Sequence, residues 1–163
     1  MSVLANGMRS LGGRSWYPRV GPLLAPLDRA LGVLTKGRYV ALGLKEIPSC
    51  LITTVGRTTG RPRTNPLLYA PDGDAFVVVG SNFGQPFHPG WVLNLFARPE
   101  ATVTAAGRRI AVHATVVTGE ERERYWHSLT AIWPAYDVYQ HRVTQREFVV
   151  FRLSPTADGA SVE

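Results

Sequence analysis

The chain has 163 residues, 45% of them hydrophobic, which is enough for one domain with a sizeable core. Its formal charge of +6 is lopsided, because residues 1–64 hold ten Lys and Arg against two acids while the remainder holds eight against ten. That field suits an anionic ligand, but no helix-turn-helix, zinc knuckle or aromatic RNA-binding signature accompanies it, so nucleic acid is not an expected partner.

The lone Cys50 excludes an internal disulfide and, beside Leu51 and Ile52, reads as core filling in a cytoplasmic protein. No unbroken run of about eighteen apolar residues exists, so no membrane span is expected. Arg9 and Arg14 are followed by Pro18, Pro22 and Pro26 rather than a clean apolar stretch, so no secretory signal is expected.

Residues 1–20 read as a flexible arm. From Pro22, the residues Leu23, Leu24, Leu27, Leu31 and Leu34 fall on one helical face. That helix either packs on the domain, covers a binding site, or makes peripheral contact with a membrane. Strands follow over 50–55, 64–70 and 75–81, the last two joined by the turn Pro71-Asp72-Gly73-Asp74. A short helix over 88–96 ends before Pro99. A second hairpin, 101–105 with 109–117, turns at Ala106-Gly107-Arg108. Thr118 and Glu121 form a capping box that starts a helix to about Ile132. Pro134 breaks it, a second helical stretch runs to about His141, and a final strand covers 148–153. Six short strands with few helices predict a small antiparallel barrel, one domain over 21–155, and the polar tail 156–163 reads as disordered.

Within this frame Gly56-Arg57-Thr58-Thr59-Gly60-Arg61-Pro62-Arg63-Thr64 stands between two strands. Its glycines permit a tight loop, and its guanidiniums and hydroxyls supply donors, so the loop is suited to an anion. It lacks the Gly-Lys-Ser/Thr of a nucleotide-hydrolase phosphate loop and the three spaced glycines of a dinucleotide fingerprint.

Other chemistries have little support. His88, His113, His127 and His141 lack metal-ligand spacing, so no metal is expected, and no Gly-x-Ser-x-Gly elbow signals a serine hydrolase. Val79-Gly80-Ser81-Asn82 ends a strand, where backbone N–H groups and hydroxyls would approach a flat ligand; a wide turn is the competing explanation. Trp91 and Asn94 share one side of a short helix, suited to a ring system or to the core. Trp133, Tyr136 and Tyr139 recur every three residues, as a pocket wall or as a packed helix.

In order, Thr53-Thr54-Val55-Gly56-Arg57-Thr58-Thr59-Gly60-Arg61-Pro62-Arg63-Thr64-Asn65-Pro66-Leu67, Asp72-Gly73-Asp74, Gly80-Ser81-Asn82, Pro89-Gly90-Trp91 with Asn94-Leu95, Ala97-Arg98-Pro99-Glu100, Gly119-Glu120-Glu121-Arg122 and Tyr136-Asp137-Val138-Tyr139-Gln140 resemble the nitroreductase and quinone reductase family that uses the 5-deazaflavin coenzyme F420. The resemblance covers about residues 48–155. It implies a mainly β (α+β) fold, a split β-barrel of antiparallel strands with flanking helices like that of flavin reductases and pyridoxamine-phosphate oxidases. It also implies an F420H2-dependent reductase that passes a hydride to a quinone-like, nitroaromatic or enone acceptor.

By position, the resemblance puts the coenzyme's phosphodiester and glutamate tail on Arg57, Thr58, Thr59 and Arg63. Val79, Gly80, Ser81, Asn82, Gly90, Trp91, Val92, Leu93 and Asn94 are implied to line the deazaflavin. Ser81, Tyr136 and Tyr139 take the catalytic positions, and Leu68, Trp133, Tyr136 and Tyr139 the substrate pocket. The nitroreductase branch has tyrosines where this chain has Leu68 and Trp133, which predicts a more apolar pocket. Related split barrels bind FMN, and a non-catalytic carrier of deazaflavin, haem or fatty acid is a further alternative. The oligomeric state is open.

Overall fold

The computed structural model describes residues 16–36 and 47–157, together with positions 7, 10 and 14. The tail 158–163 and most of the expected N-terminal arm lie outside the described residues. Helix α1 (Tyr17–Leu34) begins inside the stretch read as an arm, ahead of Pro22. Pro22 and Pro26 sit in its interior, where each removes a backbone hydrogen bond.

The remaining elements are β1 (Ser49–Val55), β2 (Pro62–Leu68), β3 (Ala70–Asp72), β4 (Ala75–Val79), α2 (Gly90–Ala97), β5 (Glu100–Ala105), β6 (Arg108–Val117), α3 (Gly119–Ile132), α4 (Ala135–Arg142) and β7 (Val150–Pro155). All strand pairs are antiparallel, and the sheet runs β2-β1-β5-β6-β7-β4-β3. Its two outermost strands, β2 and β3, are separated in the chain by Tyr69 alone. Two Cα steps span about 7 Å, so the opposite edges of the sheet meet at this corner and the sheet curls on itself. The fold is the expected split β-barrel of antiparallel strands with flanking helices.

There are seven strands rather than six because the segment read as one strand over 64–70 breaks at Tyr69. Before the break it pairs with β1, and after it with β4. The Tyr69 N–H leaves the ladder and donates to the Pro48 carbonyl at 3.0 Å.

Alternation along the strands separates two cores. Phe76 and Val78 of β4 point inward with Ile52, Val103, Val112, Phe151 and Leu153. Val77 and Val79 point outward beneath Leu129 of α3, Tyr136 and Tyr139 of α4, and Phe148. Strand β4 is therefore buried on both faces. Asp72 fastens α3 to the sheet, since its Oδ2 accepts from the Tyr125 hydroxyl and from Arg152 Nε, each at 2.7 Å.

Two local expectations are corrected. Thr118 makes no side-chain cap, so the capping box is absent; Glu121 faces solvent and pairs loosely with Arg124 at 3.8 Å. Most leucines of the α1 stripe do not pack on the barrel, Leu31 being the exception: Leu23, Leu27 and Leu34 are 75%, 64% and 83% exposed. The side that is partly or wholly covered instead carries Ala25, Asp28, Leu31, Gly32 and Thr35. Small residues there let the helix lie close, with its main contacts on β2, β1 and the turn Asn82–Gly84.

Candidate functional site

The arginine loop joins β1 to β2. Its two ends are tied by the Gly56 N–H to the Arg61 carbonyl at 2.8 Å and by the Gly60 N–H to the Gly56 carbonyl at 2.7 Å. A side chain at position 56 would crowd this turn, because a Cβ would lie 3.0 Å from both the Arg61 carbonyl and the Thr59 hydroxyl. Asn94 of α2 clamps the loop from below. Its Oδ1 accepts from the Arg57 backbone N–H at 3.1 Å and, more weakly, from the Arg57 guanidinium at 3.4 Å, while its Nδ2 donates to Thr54 Oγ1 at 3.0 Å. Asn94 is buried, so it positions the loop rather than offering a free amide.

This packing opens a cleft of about 320 Å³ lined by Arg29, Gly56, Arg57, Thr58, Thr59, Arg63, Thr64, Asn65, Gly90, Trp91 and Asn94. Arg29, Arg57 and Arg63 have no carboxylate partner among the described residues. Gly90 and Trp91 open α2, so its positive dipole end adds to the same field. The lining of guanidiniums, hydroxyls and a helix start is suited to an anion. Among the described residues no group of three His, Cys, Asp or Glu is arranged to hold a metal.

Seven of the expected coenzyme contacts, Arg57, Thr58, Thr59, Arg63, Gly90, Trp91 and Asn94, meet on this cleft. The other six are not part of its lining. Gly80 and Val92 are in contact, and a Cβ on Gly80 would come within 2.6 Å of Val92 Cγ2, so glycine is what lets β4 reach α2. The Val79 and Val92 side chains are buried in the two cores, Val79 in the outer and Val92 in the inner. Leu93, Ser81 and Asn82 are half-buried.

The loop after β4 is held by Arg146, a residue that sequence reasoning missed. Its guanidinium donates to the carbonyls of Gly80 at 2.9 Å, Ser81 at 3.0 Å and Gln85 at 3.0 Å, and it stacks on the Phe148 ring at 4.5 Å. Within this loop Asn82 and Phe83 both adopt left-handed backbone, φ 48° and 52°, a strained geometry that persists where the surroundings fix it. Burial, then the Arg146 charge, pushes the His88 imidazole below its ordinary value.

The loop lies on α4, where a Cβ at Gly84 would be 3.2 Å from Tyr139 Cβ. The chain segments of Ser81 and Tyr139 are thus neighbours. Leu68, Trp133, Tyr136 and Tyr139 come together in one apolar cluster with Phe148. Trp133, Tyr136 and Tyr139 are buried, Tyr139 to 1% exposure, so in this conformation the aromatic repeat is a packed face. Cys50 is enclosed, and burial pushes its thiol up to about 12, which leaves it unreactive.

Residues 32–155 match the family described as F420H(2)-dependent quinone reductase. An F420H(2)-dependent quinone reductase of Mycobacterium tuberculosis is 38% identical over 114 residues, covering 68% of this chain and 76% of that one. Among solved structures, an F420-H2 dependent reductase superposes with a TM-score of 0.61 at 32% identity, covering 66% of this chain and 94% of the other. A second, described as a domain-swapped dimer, gives a TM-score of 0.62 at 28% identity over 79% of this chain and 96% of its own. With the fold, the cationic cleft and these likenesses in agreement, the chain belongs to the F420H(2)-dependent quinone reductase family.

Proposed function

We propose that this chain reduces a quinone-like acceptor with hydride drawn from F420H2. Family membership makes it an F420H2-dependent oxidoreductase with F420 as its coenzyme. The observation that carries the finer reading is the cleft whose arginines lack carboxylate partners, taken together with Leu68 and Trp133 in the apolar cluster of Tyr136 and Tyr139.

The residues fit the coenzyme's anionic part. Arg57 and Arg63 supply charge, Thr58, Thr59 and Thr64 supply hydroxyls, and a volume of about 320 Å³ falls within the range of small-molecule sites. When bound, the reduced deazaflavin supplies a hydride from C5 and, lacking the flavin N5, favours two-electron transfer. The protein's own work is alignment and exclusion of water. Asn94 fixes the arginine loop, Gly80 allows β4 and α2 to approach, and Arg146 freezes the neighbouring loop. Ser81 Oγ is placed in this reading to donate a hydrogen bond to the oxygen on which negative charge develops. The Tyr136 and Tyr139 hydroxyls are the proton-donor candidates in this reading.

Leu68 and Trp133 make the acceptor side apolar, which favours a quinone over nitroaromatic or enone acceptors. Steady-state oxidation of F420H2 by a menaquinone analogue, compared with a nitroaromatic, tests this. A kcat/KM for the quinone no higher than for the nitroaromatic overturns the preference. Stoichiometric binding of F420 without turnover would support a carrier, and tighter binding of FMN than F420 an FMN enzyme.

The exposed Leu23, Leu27 and Leu34 favour a second reading for placement, a cytoplasmic protein that rests peripherally on a lipid surface through α1. No described helix is long and apolar enough to cross a membrane. Flotation with anionic vesicles tests it, and failure of the protein to float, or equal flotation of a Leu23→Ser/Leu27→Ser variant, removes it.

A further inference from the structure

Three guanidiniums without carboxylate partners around one cleft repel one another, an arrangement that costs stability unless an anion occupies the space between them. Two of them belong to the arginine loop. The third, Arg29, comes from α1 and has no local reason to be there. The covered side of the helix carries Ala25, Asp28, Leu31, Gly32 and Thr35, and Arg29 is exposed beside it, so its guanidinium adds nothing to helix packing. The leucines Leu23, Leu27 and Leu34 lie round the other flank, about a third of a turn or more from Arg29 at the helical angle of about 100° per residue. Helix α1 makes its main contacts with β2, the strand that continues from the arginine loop, so any movement of α1 moves Arg29 against the cleft.

We infer that Arg29 is a coenzyme-binding residue, and that α1 forms a wall of the site through which the enzyme selects a deazaflavin bearing an anionic tail. The inference rests on the F420 reading above. It adds that the helix, and not the barrel alone, recognises the phosphodiester or glutamate carboxylates. Removing the Arg29 guanidinium should therefore weaken the complete coenzyme while leaving binding of the tail-free deazaflavin core unchanged.

The test is a fluorescence titration of the full chain with oxidised F420 and, separately, with the 8-hydroxy-5-deazariboflavin core, which carries neither phosphate nor tail. Wild type is compared with Arg29→Ala, Arg29→Lys and Arg19→Ala. Alanine is a good helix former, so α1 should persist. Arg19, exposed on the same helix and not on the cleft, controls for the general field.

Support is a loss of about tenfold in F420 affinity for Arg29→Ala, with a shallower salt dependence, partial recovery in Arg29→Lys, and core affinity within about twofold of wild type throughout. A chymotrypsin-digestion readout, which cuts after the leucines that every variant keeps, adds to this: F420 should slow cleavage in α1 of wild type and not of Arg29→Ala. Unchanged F420 affinity in Arg29→Ala, an equal loss for both ligands, or an equal effect of Arg19→Ala overturns the inference while leaving the coenzyme assignment standing. Failure of wild type to bind F420 removes the coenzyme reading and this inference with it.

Discussion

Two loops that both meet α2 use arginine in opposite ways. In the loop between β1 and β2 the guanidiniums of Arg57 and Arg63 face an open cleft, while glycine turns and Asn94 hold the backbone. In the loop after β4 the backbone is strained at Asn82 and Phe83, and Arg146 is consumed in holding it, its charge spent on three carbonyls. The first loop keeps its donors for a ligand, and the second keeps its shape. An arginine is therefore read by whether its donors are already satisfied, not by its abundance.

The contrast is broken most forcefully at Arg146. Charged hydrogen bonds contribute about 1.5–3 kcal/mol each, and stranding several carbonyls should make Arg146→Ala cost about 3 kcal/mol or more of unfolding free energy, measured by urea denaturation. Arg146→Lys should recover little, since one ammonium lacks the planar fork that serves three carbonyls. Gly80→Ala comes next, at about 1–3 kcal/mol, because the new Cβ meets Val92 at 2.6 Å. Arg57→Ala should do the reverse of both, lowering F420 affinity by about tenfold or more with a change in stability below about 0.5 kcal/mol. If Arg57→Ala instead destabilises the fold as much as Arg146→Ala, the two loops do not differ in the way described.

A smaller, pH-dependent effect concerns Asp72. Its hydrogen bond from Arg152, then that from Tyr125, holds its carboxyl below the ordinary value. A depressed folded-state value contributes stability that is present above the unfolded carboxylate range, near pH 4, and is lost as pH falls through the folded value. Asp72→Asn should accordingly be less stable than wild type at pH 7, with the gap closing below about pH 4 in thermal melts. A gap that stays constant with pH would show that the carboxylate charge is not what fastens α3.

Much of this was legible in the sequence because the signals were local. The strand pattern, the Gly-Asp turn and the arginine motif each lie within a few residues, and the order of motifs carried the fold and coenzyme together. What was not legible depends on distance along the chain. Arg146 acts on carbonyls more than sixty residues earlier, and nothing near it in sequence marks that task. Asn94 looked like a ligand amide because its partners, Thr54 and Arg57, lie in another element. The orientation of α1 was hidden by its own amphipathicity: the leucine stripe is real, but Gly32 and Ala25 allow a closer approach on another side. The break at Tyr69 left no mark either, since the residues on both sides favour extended backbone.

That single-residue step between β2 and β3 makes the barrel intolerant of changes in chain length at one point. Side chains alternate faces along a strand, so inserting or deleting one residue at Tyr69 would either turn Ala70 and its neighbours over or pull β3 out of register with β4. Insertions at the exposed Asp74 turn are absorbed by solvent, but here the chain itself is the clasp between the two edges. A comparison of family sequences should show length variation at the hairpin tips and none at this step.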